Sequence, residues 1–470
     1  MNPTTVRANK AMTTQQTMNG PGGKTTRRHF LQAGATVLGA TAFGFPALVP
    51  ARALAAPGRT GANERLILGH MGVGGMGGFH LDRMVAFSER GRVGIAAVCD
   101  VDERRLAAAA QKAGPQAAAY RDYRYMLERK DIDAIVMATP DHWHAVGTVH
   151  AAQCGKHVYV EKPACCTIEE GKAMIKAVNE NKVVVQIGSQ GRSQRECYYA
   201  HRYIANGNIG RVTRVTCWHY ESPADTQPVP DSEPPPELDW DLWLGPLPWR
   251  PYNRRYVPGS FRWMMESGGG QIRDRGAHVM ANALWIMNAD HTGPVSVEAT
   301  GTLPTKGAWD AAMKMEVTYE FKNPDWTLVW SQPGKMIPYF DPERKKALGI
   351  RDGYGAVYHG EKDDLILWVG DSQVFTEPKA LEWKPGPGAK EVYKSPNFDH
   401  HEDWFQAIKA GTKPVSNVEA GVATAFLTIL GNLSLILGRK LRWDPVKREI
   451  VGDEQARRLM SRPQRYPYVL

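Results

Sequence analysis

Three glycines with a fixed spacing, Gly72, Gly74 and Gly77, stand between a strand-like apolar run and a helical segment. Gly72 permits a tight turn, Gly74 lets the backbone approach a pyrophosphate, and Gly77 lets the helix lie against the strand. Gly75 and Met76 would open the helix, whose free N–H groups attract phosphate oxygens. The spacing therefore predicts the first strand–turn–helix unit of a parallel α/β sheet that binds a dinucleotide.

A carboxylate, Asp100, stands at the end of the next predicted strand, 93–99. An acid at this place accepts hydrogen bonds from the adenosine ribose hydroxyls, and its charge repels a 2′-phosphate. The sequence therefore favours NAD over NADP as the cofactor. Arg104 and Arg105 follow closely and leave NADP open as the less favoured alternative. For the whole motif, the structural alternative is a glycine-rich turn without a ligand.

Short β-branched runs alternate with helical segments between residues 63 and 187, as a parallel sheet covered on both faces requires. The predicted strands are 65–70, 93–99, 132–138, 156–160 and 183–187. Thr167 and Glu170 form a capping-box pattern that predicts the start of a helix. Residues 63–187 are therefore predicted to form a doubly wound, Rossmann-type domain.

Residues 188–445 have a different pattern, which predicts an α+β domain with an open, mostly antiparallel sheet. Its predicted strands are 211–220, 294–302, 312–321, 326–331 and 365–370. Its predicted helices are 194–205, 271–287, 400–410 and 417–438. A loop rich in proline and tryptophan around 234–246 is interpreted as a wall of the site or a subunit contact. Residues 446–470 are interpreted as a C-terminal tail.

The first 55 residues have the pattern of an export signal. Arg27 and Arg28 precede a Phe-Leu pair, an uncharged stretch covers 33–50, and small residues at 53–55 offer a cleavage site. This arrangement predicts export in the folded state by the twin-arginine machinery, to the periplasm or the cell exterior, with 56–62 as a linker. A retained membrane anchor is the alternative for the apolar stretch. After cleavage, no stable membrane span is expected.

The distribution of charge argues against a nucleic-acid partner. The chain carries a formal charge of +9, from 58 basic and 49 acidic side chains. Residues 1–55 hold six of the basic side chains and no acidic one, so 52 basic against 49 acidic side chains remain after the leader. The six cysteines show no C-x-x-C spacing, and a protein folded in the cytoplasm keeps its thiols reduced. They are predicted to be buried thiols, without disulfides and without a metal site.

Two further motifs follow consecutive predicted strands: Thr-Pro-Asp-His-Trp-His at 139–144 and Glu-Lys-Pro at 161–163. Ligands bind beyond the carboxyl ends of such strands, so both motifs should border the cofactor crevice. Together with the glycine motif they resemble the Gfo/Idh/MocA family, named for glucose-fructose oxidoreductase, inositol dehydrogenase and a rhizopine-catabolism protein. The resemblance implies an NAD(P)-dependent oxidoreductase for sugars or polyols. It assigns cofactor-binding roles to Thr139, Pro140, His144, Glu161 and Lys162.

The resemblance also implies three catalytic residues. Lys162 would place its ammonium near the nicotinamide and the substrate hydroxyl, where it favours the oxyanion. Asp274 and His278 match the Asp-x-x-x-His pattern of the family, in which the histidine is the general base toward the substrate and the aspartate orients it. If the segment after Gly270 is helical, these two side chains share one face. The structural alternative for Lys162 is a lysine that faces solvent, and that for Asp274 and His278 is a polar pair on a solvated helix face. The resemblance also makes Pro163 a candidate for a cis peptide bond.

Other polar and aromatic residues are weaker candidates. Gln190 is predicted to contact the cofactor and Arg192 the substrate, with simple turn chemistry as the alternative. Because aromatic rings pack on the apolar faces of sugars, a carbohydrate platform is predicted. Its candidates are Tyr220, Trp240, Trp243, Trp263 and either His400 or His401, with His142 and Trp143 along the cofactor crevice. Asn282 stands where many relatives have a second acidic residue.

Three functions are compatible with these residues. The first is an exported oxidoreductase that oxidises a ring hydroxyl of a sugar, glycoside or polyol and keeps NAD bound, because no free pool outside the cytoplasm would replace it. The second is a redox-neutral, NAD-dependent glycoside hydrolase or lyase with a transient 3-keto intermediate. Residues 274–282 look like the dehydrogenase pattern and not like the tyrosine–histidine arrangement of those glycosidases. The third, a non-catalytic sugar-binding protein, would have no need of the proton relay. The resemblance further implies a homo-oligomer, either a dimer or a tetramer.

Overall fold

The structure is a computed structural model that describes residues 64–224, 227, 229–333, 354–370 and 373–470. All of them belong to one compact unit, Leu54–Leu470. The twin-arginine motif, the cleavage site and the linker lie outside the described residues, so these three assignments stay predictions.

The first sheet has six parallel strands in the order β3-β2-β1-β4-β5-β6, which confirms the doubly wound fold. The strands are β1 Leu66–Met71, β2 Val93–Cys99, β3 Ala118–Tyr120, β4 Ala134–Met137, β5 His157–Val160 and β6 Val185–Ile187. All four residues of β4 are buried, because helices cover both faces of a parallel sheet. The sequence did not predict β3, a three-residue edge strand too short to show a period.

Five helices connect these strands. They are α1 Met76–Glu89, α2 Glu103–Ala113, α3 Tyr123–Leu127, α4 His144–Gln153 and α5 Ile168–Asn181. The predicted capping box is present at the start of α5: the Thr167 hydroxyl accepts from the Glu170 N–H, and the Glu170 carboxylate accepts from the Thr167 N–H at 3.1 Å.

Within the described residues, the second sheet has nine strands in the order β13-β12-β11-β7-β10-β9-β8-β14-β15. The strands are β7 Val212–Trp218, β8 Ser296–Thr302, β9 Lys314–Phe321, β10 Trp326–Gln332, β11 Tyr354–Gly360, β12 Asp364–Gly370, β13 Gln373–Thr376, β14 Leu441–Asp444 and β15 Glu449–Ile450. All pairs are antiparallel except β7 with β10, so the predicted sheet type is confirmed. The sequence missed β11, β13, β14 and β15.

The helices of this region are α6 Arg195–Ala205, α7 Trp240–Leu244, α8 Gln271–Asp274, α9 Gly276–Ile286, α10 Pro378–Glu382, α11 His400–Ala410, α12 Val418–Leu437 and α13 Glu454–Arg458. The single helix predicted over 271–287 is wrong, since α8 and α9 are separate. Arg275 separates them, and the His278 N–H bonds the Arg275 carbonyl only three residues back.

Helix α12 joins the second domain to the first. It is apolar and long enough to span a membrane, but 78% of its most apolar window is buried, which is typical of a core helix. Gly421 lies against Ile187 at the end of β6, where a Cβ would overlap the isoleucine side chain. The C-terminal segment is also integrated and is not a loose tail, because Arg462 pairs with buried Glu170 at 2.7 Å and Tyr468 packs on Trp143.

Substituting Gly421→Ala should lower the free energy of unfolding by about 1–3 kcal/mol, because the added methyl group overpacks the contact between α12 and β6. Urea denaturation measures the loss. Gly386→Ala is the matched control, since no atom lies within 4 Å of the added Cβ. Equal stability of the two variants would contradict this account of the contact.

Candidate active site

A cavity of about 1110 Å³ lies beyond the carboxyl ends of β1, β2, β4 and β5. One part of its wall is the predicted glycine loop, and the other is formed by side chains of the second domain. Lys162, Asp274 and His278 line it together with Gly72 and Asp100. The fold therefore brings the predicted cofactor-binding and catalytic residues to one crevice, where doubly wound sheets bind their ligands.

The glycine loop has the close approaches that its spacing predicts. Gly72 has a φ of +79°, and a Cβ there would lie 2.8 Å from the Ala138 carbonyl oxygen. A Cβ on Gly77 would overlap the Gly72 carbonyl oxygen, so α1 lies directly against the turn. No side chain caps the N-terminus of α1 at Gly75. Gly74, Gly75 and Met76 line the cavity, so the positive end of the α1 dipole faces it and suits a phosphate.

Asp100 fastens this loop to the end of β2. Its two carboxylate oxygens accept the N–H groups of Val73 at 2.8 Å and Asp102 at 3.0 Å. Burial raises the pKa of Asp100 above its ordinary value. The Arg105 guanidinium lies where a Cβ on Gly74 would project, and it lines the cavity as well. A helix without a side-chain cap, a turn in which backbone atoms leave no room for a Cβ at Gly72 and Gly77, and an acid at the strand end fit a bound NAD.

Glu161 holds the backbone of the Glu-Lys-Pro motif in place. It is buried, and its Oε1 is hydrogen-bonded to His80 Nε2 at 2.8 Å and accepts from Gln190 Nε2 at 2.7 Å. Its Oε2 accepts the Lys162 N–H at 3.3 Å. Burial alone would raise the pKa of Glu161, but the bond to His80 and the nearby cations lower it to about 2. Glu161 is therefore an anion with three fixed donors, and the Lys162–Pro163 peptide is cis, as the resemblance implies.

Three cations meet at the Asp274 carboxylate. Lys162 Nζ lies 2.7 Å from Oδ1, Arg262 Nε lies 3.2 Å from Oδ1, and Arg275 Nε lies 3.4 Å from Oδ2. Burial alone would raise the pKa of Asp274, but the charges of these three side chains hold it well below its ordinary value. Asp274 thus orients Lys162 as a permanent anion.

His278 lies in the first turn of α9 and lines the same cavity as Lys162. Burial, and next the charge of Lys162, lower the pKa of His278 to about 3. The imidazole is therefore neutral at physiological pH and has a lone pair for a proton. The helix break at Arg275 does not separate the pair, since both Asp274 and His278 face the cavity.

His144 connects the two family motifs. Its Nδ1 lies 2.8 Å from the Pro163 carbonyl oxygen and its Nε2 lies 2.9 Å from that of Thr139. Thr139 and Pro140 line the cavity, and so do Gly75, Met76 and Trp143. His142 does not, because it is buried with Nε2 3.0 Å from the Trp243 carbonyl oxygen.

Four predicted substrate contacts do not lie at the cavity. Arg192 is fully buried and forms a two-pronged ion pair with Asp290, at 2.6 and 2.8 Å. Trp240 is buried in a separate cluster, where it stacks on Trp243 at 4.8 Å. His400 and His401 are buried as well and bond Ser193 and His80. Buried polar groups need hydrogen-bond partners, and the partners of these four side chains are other groups of the protein and not a substrate.

Other predicted residues do line the cavity: Tyr220, Trp243, Trp263, Gln190 and Asn282. The sequence missed His80, His219, Arg262, Arg275 and Tyr354 as residues of the site or its support. The sequence could have indicated Arg275, because it stands between the two predicted residues Asp274 and His278. Nothing in the sequence indicated His80, because only the fold places it against Glu161.

The prediction that the cysteines are buried is confirmed at five of the six positions. It is wrong for Cys154, which is exposed at the end of α4. Among the described residues no group of three or more His, Cys, Asp and Glu side chains is arranged to hold a metal ion.

Two family models match the chain. The model of the Gfo/Idh/MocA oxidoreductase family with an NAD-binding Rossmann fold matches residues 68–189. The model of the C-terminal alpha/beta domain of the same oxidoreductase family matches residues 208–326 and 387–470. The second match extends through the C-terminal segment, which agrees with the packing of that segment on α5.

Curated relatives match parts of the chain. Inositol 2-dehydrogenase of Salmonella paratyphi B is 31% identical over 33% of this chain and 46% of its own length. Levoglucosan dehydrogenase of Pseudarthrobacter phenanthrenivorans is 38% identical over 19% of this chain and 23% of its own. A glycosyl hydrolase family 109 protein of Shewanella sp. is 33% identical over 31% of this chain and 35% of its own length. The chain thus spans less than half the length of these relatives.

Solved structures share the fold over most of the chain. Levoglucosan dehydrogenase in complex with NADH and levoglucosan is 19% identical with a TM-score of 0.56, over 80% of this chain and 99% of the other. The WlbA dehydrogenase from Bordetella pertussis, in complex with NADH and UDP-GlcNAcA, is 18% identical with a TM-score of 0.57, over 81% and 99%. At these identities the likeness concerns the fold.

Substituting Gly77→Ala should weaken NAD binding at least about tenfold, or about 1.4 kcal/mol, because the new methyl group displaces the Gly72 carbonyl and the loop with it. A fluorescence titration with NADH measures the dissociation constant. Gly78→Ala, in the same turn of α1, is the matched control, since its nearest neighbour would be the Val73 carbonyl oxygen at 3.4 Å. Equal affinities of the two variants would refute the role of Gly77.

Proposed function

Because the chain belongs to the Gfo/Idh/MocA oxidoreductase family and its N-terminal domain is an NAD-binding Rossmann fold, we propose that it oxidises a ring hydroxyl of a sugar, glycoside or polyol. One observation carries the proposal. Lys162 Nζ lies 2.7 Å from Asp274 in the cavity that the glycine loop and the neutral His278 also line. A cation and a base beside a dinucleotide site are what alcohol oxidation requires.

Lys162 binds the oxygen of the reacting hydroxyl. Its ammonium donates a hydrogen bond and stabilises the negative charge that grows on this oxygen as its proton leaves. Asp274 positions the ammonium, and its permanent charge keeps Lys162 on the cavity wall. NAD, when bound, accepts the hydride from the carbon that carries the hydroxyl.

His278 takes the hydroxyl proton on an imidazole nitrogen. Because burial keeps the ring neutral, its lone pair is available without prior loss of a proton. The positive charge of Lys162 favours the alkoxide and so lowers the basicity required of His278. The hydroxyl thus loses its proton to the protein and its carbon loses hydride, which leaves a ketone.

The ring hydroxyl as substrate is supported by two kinds of observation. Curated relatives of this chain are named for inositol and levoglucosan, both of which carry ring hydroxyls. The cavity walls also hold aromatic side chains, Tyr220, Trp243 and Trp263, which suit the apolar faces of a sugar.

A redox-neutral glycosidase is the second candidate, favoured by the match to a glycosyl hydrolase family 109 protein. In that reaction a transient oxidation would acidify the neighbouring C–H group, and elimination would release the aglycone. Addition of water to the resulting double bond and re-reduction of the ketone would then complete the hydrolysis and restore the cofactor. The two candidates use the same Lys162 and His278 for the first oxidation. Their products differ: a keto-sugar and NADH in one case, a free aglycone without net NADH in the other.

The variants Lys162→Met and His278→Asn should lower sugar-dependent reduction of NAD by about 10²–10⁴-fold, because each removes one group of the proton transfer. NAD should still bind, since the glycine loop is unchanged. NADH absorbance, with products identified by mass spectrometry across a panel of sugars and glycosides, measures the reaction. Lys172→Met, which alters a partly exposed lysine that is paired with Glu169 and does not line the cavity, is the control. Retained turnover in either active-site variant would refute the assigned roles.

We also propose that the protein is exported in the folded state with NAD already bound. The paired arginines Arg27 and Arg28 before an uncharged stretch support this route. Outside the cytoplasm the cofactor would have to be reoxidised on the same protein, by a second sugar or by reversal within one reaction cycle. The homo-oligomer also remains a prediction.

Replacing both Arg27 and Arg28 with lysine in the full chain should hold the protein in the cytoplasm, because the export machinery recognises the arginine pair. Cell fractionation of a bacterial host with this machinery, followed by immunoblotting, measures the distribution. The unaltered chain should appear in the periplasm or the medium in a shortened form. Equal export of both proteins would contradict the proposed route.

A further inference from the structure

The cavity wall around Asp274 carries more cationic than anionic side chains. Lys162, Arg262 and Arg275 all contact this one carboxylate, at 2.7, 3.2 and 3.4 Å. One negative charge therefore faces three positive charges. Such an arrangement raises the affinity of the cavity for anions, since a partly enclosed site focuses the field of its charges.

Among the described residues, the other carboxylates near this end of the cavity do not cancel the excess of positive charge. Glu161 is a second anion beside Lys162, bonded to His80, Gln190 and the Lys162 N–H. It offsets one of the three positive charges, and a net positive charge remains. Asp141 also lines the cavity, and burial raises its pKa, which disfavours its charged form. Within the described part of the chain, Asp274 is the carboxylate that pairs with these two arginines.

Both arginines are held at the cavity by further contacts: Arg262 Nη1 donates to the Gly259 carbonyl oxygen at 3.2 Å, and Arg275 is hydrogen-bonded to Tyr354. Each contacts Asp274 through Nε, and their side chains are 35% and 46% exposed for Arg262 and Arg275. Arg262 lies 4.7 Å from the centre of the Phe261 ring, and Arg275 lies 5.6 Å from that of Tyr354. These contacts restrain each guanidinium at the cavity wall, where its remaining N–H groups can donate to an oxyanion.

These arginines belong to the substrate end and not to the phosphate end of the cavity. Arg275 precedes His278 by three residues, and Arg262 shares Asp274 with Lys162. The glycine loop has a cation of its own, since the Arg105 guanidinium lies against Gly74. The cofactor pyrophosphate therefore does not need Arg262 or Arg275 as its counter-charge.

We propose that the substrate is an anionic carbohydrate whose carboxylate or phosphate group binds Arg262 and Arg275. This inference rests on the proposed function of the site and adds the substrate class. The anion completes the charge balance around Asp274, and the fixed distance from Arg275 to His278 selects which ring hydroxyl reaches the base. Arginine suits this task better than lysine because its planar fork matches the geometry of an oxyanion.

Matched substrates test the inference on the full chain loaded with NAD. Methyl β-D-glucuronide differs from methyl β-D-glucoside at C6 alone, and glucose 6-phosphate forms the second pair with glucose. The anionic member of at least one pair should have a kcat/KM about 10–100-fold higher, as two charge-assisted hydrogen bonds provide. The pair with the larger ratio identifies a carboxylate or a phosphate as the bound group.

Variants connect the preference to the arginines. Arg275→Gln should reduce the ratio of anionic to neutral kcat/KM to within about threefold of unity, and Arg275→Lys should leave an intermediate ratio, because a point charge replaces the fork. Arg211→Gln is the matched control. Arg211 is an exposed arginine paired with Glu361 outside the cavity, so the ratio should not change.

The outcomes separate this inference from the function on which it rests. Equal or faster NAD reduction with the neutral members overturns the anionic substrate and leaves the oxidoreductase intact. If no compound reduces NAD, the proposed function fails for these sugars, and calorimetric titration of the glucuronide, the glucoside, glucose 6-phosphate and glucose still decides the inference. Tighter binding of an anionic member, lost in Arg275→Gln, supports it; equal binding within both pairs overturns it.

Discussion

The ion pair between Lys162 and Asp274 connects the two halves of the active site, and the arrangement of the other side chains follows from it. Lys162 comes from the end of a parallel strand, and Asp274 from a short helix more than 100 residues later in the chain. Removing both charges from water is costly, so such a pair is retained only with precise geometry and further partners. Here Arg262 and Arg275 are those partners, and the pair holds the ammonium beside a neutral imidazole.

One buried charged side chain supports each side of this pair: Glu161 in the first domain and Arg192 in the second. On the first domain, Glu161 ties the backbone of Lys162 to His80 in α1, and His80 is in turn bonded to His401 in α11 at 3.0 Å. A helix of the second domain therefore braces the strand end of the first. On the other side, α9 is anchored where Arg192 bonds the Ala281 carbonyl at 2.6 Å and pairs with Asp290. Glu161 lines the cavity and Arg192 does not, but each ties one side of the Lys162–Asp274 pair to the protein core.

Packing between the domains fixes the width of the cavity. Helix α12 lies against β6 through Gly421, and the C-terminal segment returns to α5 through the pair of Arg462 with Glu170. These contacts are extensive and largely apolar on the α12 side, so the two domains share one core. A cavity formed between them is therefore largely pre-formed, as sites for small molecules usually are.

The sequence by itself determined what depends on short stretches of chain. The glycine loop, the acid after β2, the capping box of α5 and the parallel strands are local patterns, and the structure agrees with each. Only the tertiary structure decided which distant groups meet. Arg192 was predicted to contact the substrate, but it pairs with Asp290, and Trp240 packs in a separate aromatic cluster. Arg262 and Arg275, which the sequence did not indicate, contact the Asp274 carboxylate. The physical reason is that a buried charge takes whichever partner the fold brings within hydrogen-bond distance, and no local spacing records that partner.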